Sequence, residues 1–307
     1  MRSLQNKSCG QFNSMNFEKD NFVIAFASGK GGAGKTSVAL NTAKALSMNL
    51  TILDCDVEEP NCAIFIKGEI SEERKVALFS PVIDKERCNG CGECSKFCER
   101  KALVCWGSPP IFFPEMCNGC GGCKMVCPLN AIKDGERIIG KIEKKIEGKI
   151  NLISGIINIG EESPVPLIKN LRKTSPKGEL VFIDAPPGTS CPTVSAILKA
   201  DYVVLVAEET PFGLSDLNIC IDLVKKLNIN SGVVNNRKGI GKENLREFLK
   251  IFEIPLLCEI PFDKEIFDAY SNGELIVDKN PFYNSLFRDF GLKLLNEVKK
   301  AKEENDK

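Results

Sequence analysis

Eight residues constrain the fold of this 307-residue chain more than any others. Gly29-Lys30-Gly31-Gly32-Ala33-Gly34-Lys35-Thr36 fits the pattern G-x-x-x-x-G-K-[ST]. The apolar run from Phe22 to Ala27 before it predicts a buried strand closed by a Ser28-Gly29 turn. Behind it, Val38, Ala39, Ala43 and Leu46 recur at helical spacing over 36–48. In such a strand–loop–helix unit the glycines let successive backbone N–H groups turn inward around phosphate oxygens, and the helix N-terminus faces the same anion. Gly29, Lys30, Gly31, Gly32, Ala33, Gly34, Lys35, Thr36 and Ser37 are therefore the candidate nucleotide cradle. Lys35 would reach the β- and γ-phosphates, and the Thr36 hydroxyl would ligate Mg²⁺.

The flanking sequence predicts an α/β domain. Strands are expected over 50–53, 149–153, 180–183, 202–206, 232–234 and 255–259, and helices over 165–173, 214–227, 242–251 and 282–300. Strands separated by helices imply a mostly parallel sheet covered on both faces. Acidic residues close two of the strands. Asp184 ends an apolar strand and opens Asp184-Ala-Pro-Pro-Gly188, the place of a carboxylate on the Mg²⁺ hydration shell, where Gly188 could offer its N–H to the γ-phosphate. Asp54 and Asp56 follow the second strand, where an aspartate could orient the attacking water or simply cap the strand end.

Between about 81 and 140 the periodicity fades and Cys, Gly and Pro dominate. C-x2-C-x2-C-x3-C occurs twice, as Cys88, Cys91, Cys94, Cys98 and as Cys117, Cys120, Cys123, Cys127, at an offset of 29 residues that Ala102 and Ala131 also keep. The repeat suggests two halves about a pseudo-twofold axis. Three thiolates so closely spaced can wrap one cubane, and in two-cluster ferredoxins the fourth ligand comes from the other motif. Cys88, Cys91, Cys94 and Cys127 are thus assigned to one [4Fe-4S] cluster, and Cys117, Cys120, Cys123 and Cys98 to a second. The alternative is a pair of Cys₄ zinc sites, which more often use two separated Cys pairs. Glu99 stands where ferredoxins often carry Pro, whereas Pro128 follows the second motif. The other cysteines (Cys9, Cys55, Cys62, Cys105, Cys191, Cys220 and Cys258) read as small core or surface residues. The expected domains are a polar tail over 1–20, a discontinuous nucleotide-binding body over 21–78 and 141–307, and an inserted ferredoxin-like module over 79–140.

Composition narrows the chemistry. Fifteen cysteines, an odd count, without an export signal argue against a disulfide framework and for a reducing cytoplasm. The absence of histidine removes His-based triads and every His-containing zinc site. Equal numbers of acidic and basic residues, 41 each, give no electrostatic footprint for nucleic acid or an anionic membrane. No window of 18 apolar residues occurs, so stable membrane insertion is not expected. The final helix carries Phe282, Leu286, Phe290 and Leu294 near helical spacing, which fits docking on the sheet or a membrane-targeting face.

The second lysine, Lys30, lies one residue after the first glycine, and this loop resembles the deviant Walker A motif of the MinD/ParA/Mrp superfamily, which includes the nitrogenase iron protein. The Asp54-Cys-Asp56 and Asp184-Ala-Pro-Pro-Gly188 segments match as well, and the resemblance covers roughly 21–295. It implies a P-loop NTPase fold, ATP with magnesium, slow or partner-stimulated hydrolysis and an ATP-dependent homodimer. Lys30 would reach the partner's nucleotide, Asp56 would position water, Lys35 and Asp184 would act on the phosphate and Mg²⁺ side. Thr210 to Asp216 resembles the segment after the family's fifth strand. Asn236, with Asn235 as a competing register, resembles the adenine contact, and Pro261 the base-lining turn. With the ferredoxin motifs, the expected function is an iron–sulfur ATPase that gates electron transfer to a client protein, with metallocofactor assembly as one setting. An Mrp-like cluster carrier and a MinD-like positioning ATPase are the alternatives.

Overall fold

A computed structural model describes residues 22–305. The expected polar tail, Cys9 and residue 21 lie outside them. In chain order the elements are β1 (Phe22–Ala27), α1 (Lys35–Leu46), β2 (Leu50–Asp54), α2 (Cys62–Phe65), β3 (Ile70–Ile83), α3 (Glu93–Phe97), β4 (Leu103–Val104), β5 (Ile111–Phe112), α4 (Gly122–Met125) and β6 (Ile132–Glu147). There follow β7 (Ile150–Ile157), α5 (Val165–Arg172), β8 (Leu180–Asp184), α6 (Cys191–Ile197), β9 (Tyr202–Ala207), α7 (Pro211–Lys226), β10 (Ser231–Lys238), α8 (Leu245–Phe252), β11 (Leu256–Pro261), α9 (Lys264–Ser271) and α10 (Pro281–Asn305).

The main sheet has the order β11-β10-β9-β1-β8-β2-β7-β6-β3. It is parallel from β11 to β7, then β6 pairs antiparallel with β7 and β3 antiparallel with β6. The alternation of each strand feeds two cores. Ile24 and Phe26 of β1, with Leu180 and Phe182 of β8, pack under α1 and α10. Ala25, Ala27, Val181 and Ile183 face α5, α6 and α7 on the other side. Every residue of β2, β8 and β9 is buried, which is why these strands read as mostly apolar runs.

The antiparallel pair β3 and β6 is the main departure from expectation. Its polar, Lys- and Glu-rich sequence has too little apolar alternation to read as strand, and the structure forms it from cross-strand pairing from Ile70↔Lys145 to Ile83↔Ile132. Two strands of 14 and 16 residues make a ribbon on the order of 45 Å long at ~3.3 Å per residue. It crosses the expected boundaries at 78/79 and 140/141 and carries the cysteine-rich segment at its far end. There a small core gathers Cys94, Leu103, Cys123 and Ile132 with Phe79, Ile83 and Phe112. The repeat extends into local structure: α3 and α4 start 29 residues apart, as do β4 and β6.

The last helix docks on the sheet. Phe290 and Leu294 are buried in the same core as α1, while Phe282 stays exposed. No helix among the described residues is long and apolar enough to cross a membrane.

Candidate functional site

The Gly-rich loop leaves β1 at the centre of the sheet and enters α1. Gly34 sits at φ 94°, a left-handed turn that points the loop into the helix, and a Cβ on it would lie 2.3 Å from Asn236 Nδ2. Gly29 is needed for proximity: a Cβ there would lie 2.5 Å from Asp216 Cβ. Asp216 thus belongs to the wall of the loop, on α7, whose N-cap Thr210 accepts from the Gly213 N–H. Asn236 donates to the Ala33 carbonyl at 2.8 Å, whereas Asn235 turns to Glu209 at 2.6 Å. The two candidate registers therefore separate, with Asn236 on the loop. Pro261 ends β11, half-buried, and the next residue, Phe262, bonds back to the end of β10 through its N–H to Lys238.

Lys35 is buried at the start of α1, and Thr36 donates to Asp184 Oδ2 at 2.5 Å. Asp184 and Asp54 close adjacent parallel strands in register, so their carboxylates meet inside the protein. They are 1% and 0% exposed. Cys62, the first residue of α2, completes the cluster: its N–H donates to Asp54 Oδ2 at 3.1 Å and its thiol to Asp184 Oδ2 at 3.5 Å. One ligand atom from each of Asp54, Cys62 and Asp184 lies within 4.8 Å of the others. Oδ1 of both aspartates is buried without a hydrogen-bond partner. Two orphaned carboxylate oxygens beside a lysine and a threonine hydroxyl suit a hard divalent cation such as Mg²⁺.

Burial, modulated by neighbouring charges, explains the titration behaviour. Burial and then the Asp184 charge push Asp54 well above the ordinary carboxylate range, and burial raises Asp184 despite the opposing pull of Lys35. Asp56 is raised to about 6 by burial, with Lys35 pulling it down and Asp184, Glu59 and Glu58 pushing it up. Burial also drives the Cys62 thiol well up, so it is protonated without a metal.

Two expected donors are already engaged. The Gly188 N–H donates to the Ser28 carbonyl at 2.9 Å, so it reaches a phosphate only when that bond opens. Lys30 donates to Glu208 Oε2 at 2.9 Å, and the same buried Glu208 accepts from Arg237 at 2.6 Å. Glu208, Asp216 and Cys62 are site residues that sequence reasoning missed. Glu208 and Asp216 lie beside or within the segment Thr210 to Asp216, whose sequence carries no signal of a contact to the loop, and Cys62 reads as an ordinary small core residue.

The second candidate centre is the cavity at the ribbon's end. It is lined by Cys88, Cys91, Cys94 and Cys127, with Cys105 beside them. Cys127 belongs to the second motif, so the cavity draws thiols from both halves. Cys123 is pushed up to about 11, first by burial and then by Cys117, Cys120 and Cys94 around it. The expected metal residues on the first side therefore converge. Cys98 is half-buried, and the Cys117 carbonyl accepts from Arg137 of the ribbon at 3.0 Å. Thiol-rich walls with Gly and Pro between them fit a soft iron–sulfur cluster.

A family model described as the CobQ/CobB/MinD/ParA nucleotide binding domain matches residues 24–276. An uncharacterized protein of Methanocaldococcus jannaschii is 32% identical, over 85% of this chain and 94% of its own. An iron–sulfur protein required for NADH dehydrogenase in Arabidopsis thaliana mitochondria is 22% identical over 92% and 81%. Among solved structures, the septum site-determining protein MinD of Pyrococcus horikoshii, complexed with Mg-ADP, has a TM-score of 0.55 at 18% identity, over 89% of this chain and 96% of its own.

Proposed function

The chain belongs to the CobQ/CobB/MinD/ParA nucleotide-binding family of P-loop ATPases, and from that premise we propose that it uses ATP binding and hydrolysis to gate electron transfer from two [4Fe-4S] clusters to a client protein. The observation that carries this reading is the anchoring of the ribbon. Glu147, at the base of β6, accepts from Lys44 in the last turn of α1 and from the Lys67 N–H just after α2 at 2.5 Å each. Both segments lead directly to the phosphate loop and to Cys62. A rearrangement around Asp54, Asp56 and Asp184 thus bears on the base of a stiff two-stranded lever whose other end holds the cysteines.

In this reading Gly29 to Ser37 cradle the phosphates, and Thr36 with Asp54 and Asp184 face the Mg²⁺. Lys35 offsets phosphate charge, and Asn236 and Pro261 border the base. Asp56 orients the attacking water. Lys30 leaves Glu208 to reach the partner's nucleotide in a homodimer, and release of the Gly188 N–H from Ser28 supplies a further phosphate donor. Residues 79–140 form the cluster module, with the crosswise cysteine sets holding the two clusters. When bound, the clusters supply one-electron carriers.

The test is kinetic. Clusters reduced anaerobically are mixed with a small-molecule or protein acceptor, and their bleaching is followed with MgATP, with MgADP and with a non-hydrolysable analogue. Gating predicts a nucleotide-dependent rate that the Asp56→Asn variant locks in one state. A bleaching rate blind to ATP turnover with every acceptor sinks the proposal. A second reading, a cluster carrier, is favoured by the exposure of Cys91 and Cys120 and by a 24% identical relative in Aquifex aeolicus described as an iron–sulfur cluster carrier protein. Its mark is ATP-dependent delivery of a whole cluster to an apo-protein, scored by loss of iron from this chain.

A further inference from the structure

The two halves of the cysteine repeat differ at one chemically decisive position. At the 29-residue offset Cys88 meets Cys117, Cys91 meets Cys120, Cys127 answers Cys98, Leu103 meets Ile132, and Cys105 meets Asp134. Asp134 is engaged in an ion pair with Lys124 at 2.6 Å on the surface. Cys105 instead lines the cavity that Cys88, Cys91, Cys94 and Cys127 share. Five thiols face a space for which a cubane uses four.

Its placement is specific. The Cys105 sulfur lies 3.4 Å from the carbonyl oxygen of Gly90, the residue immediately before Cys91. A Cβ built on Gly92, immediately after Cys91, would lie 4.0 Å from the same sulfur. Cys105 is therefore packed against the turn that presents Cys91. The sulfur is also 3.0 Å from the Ser108 carbonyl, and a thiol has one proton, so it satisfies at most one of the two acceptors at a time. Cys91 is the exposed member of the set, whereas Cys105 is half-buried and Cys94 is 8% exposed. The ligand most open to oxidation or alkylation is thus the one with a second thiol beside it.

We propose that Cys105 is a reserve ligand of the first cluster, able to replace Cys91 on the iron that Cys91 holds. The inference rests on the cluster reading above. The exchange breaks the Fe–S bond to Cys91 and forms one to Cys105. The Cys105 proton passes to the departing Cys91 thiolate or to solvent, and no electron is transferred. The second half, with Asp134 in the corresponding place, has no such reserve and serves as an internal control.

The experiment uses the full chain purified anaerobically with its clusters, and reads iron and sulfide per chain together with EPR of oxidised and reduced samples. Wild type is expected to hold about eight irons, four for each cluster; a chain with none, or with zinc, overturns the cluster reading itself. Given about eight, Cys91→Ala should keep about eight irons and two four-iron signals when reduced. Cys91→Ala/Cys105→Ala should fall to between about four and about seven, with a three-iron signal when the missing corner alone is lost. Cys120→Ala should fall in the same way on its own. If Cys91→Ala by itself loses as much iron as the double variant, Cys105 is no ligand and the proposal fails. If Cys91→Ala proves insoluble, the wild-type and Cys105→Ala chains are alkylated at Cys91 with iodoacetamide. Retention of the first cluster in wild type but not in Cys105→Ala supports the exchange, and equal loss overturns it.

Discussion

The nucleotide site and the cysteine-rich end of the ribbon are held together by different physics. Around the phosphate loop β2, β8 and β9 are fully buried, and the helices cover two continuous cores. The far end has a core of four buried residues with a few partly buried neighbours, and several large apolar side chains there, such as Trp106 and Met125, are exposed. A core that small does not offset the conformational entropy of a segment of that length. The body therefore folds on apolar burial, whereas the cysteine-rich segment has little of it and, on the proposed cluster reading, gains the rest from what its thiols bind. Metal ligation in such segments is itself folding free energy.

The largest expected effect tests that contrast directly. Stripping iron with a chelator under reducing conditions should lower amide-exchange protection over 84–131 by roughly 100-fold or more and leave β1, β8 and β9 protected. Equal protection before and after stripping would mean that the small core suffices. Next, Lys35→Ala should weaken ATP binding by about 10- to 150-fold, the loss of a charge-assisted hydrogen bond worth ~1.5–3 kcal/mol, without changing iron content. Calorimetric titration and iron analysis on one preparation check both halves of that statement. Gly34→Ala should cost about 1–3 kcal/mol of stability, because its φ of 94° disfavours a side chain and the new Cβ meets Asn236. Thermal unfolding of the body would reveal it, with the cluster spectrum unchanged until the body melts.

The smallest effect is one of pH. Asp56 has its pKa raised to about 6 from an ordinary 3.8, so the folded chain binds its proton more tightly than the unfolded chain does. The stability tied to this group is thus fully present below about pH 4 and is lost as pH rises through about 6. Asp56→Asn should match wild type near pH 4 and be more stable at pH 8, by about 1 kcal/mol once the partial exposure of the carboxylate is allowed for. Denaturant titrations at the two pH values decide it, and a gap of equal size at both would show that Asp56 acts through packing rather than charge.

The legible parts of the molecule were those with a local cause. Phe22–Ala27 and the glycines after it declare a strand, a loop and a helix within thirty residues, and the structure builds all three. The parallel sheet was legible because buried strands leave apolar runs at 180–183 and 202–206, and at 50–53 with Thr51 as the one interruption. The ribbon was not, since residues such as Glu72, Arg74, Lys141 and Glu143 owe their strand state to the partner across the ladder. Helix 242–251 was expected three residues early, because Asn244 caps it through the Glu247 N–H and moves its start to Leu245.

The amino-acid sequence by itself determined the phosphate loop, the paired aspartates after β2 and β8, and the doubled cysteine motif, because each is a short pattern whose chemistry lies in its own spacing. Tertiary structure alone decided which distant residues complete them. Only the parallel register of β2 on β8 brings Asp54 against Asp184, and only the turn between β2 and α2 brings Cys62 to them. Only the end of β9 sets Glu208 between Lys30 and Arg237. At the ribbon's tip, the folding of one half-repeat over the other brings Cys127 to the thiols of the first motif, and the turn after β4 returns Cys105 to them. These contacts join residues from a few to more than a hundred positions apart, and no local pattern specifies such a distance; the packing of the sheet and the ribbon does.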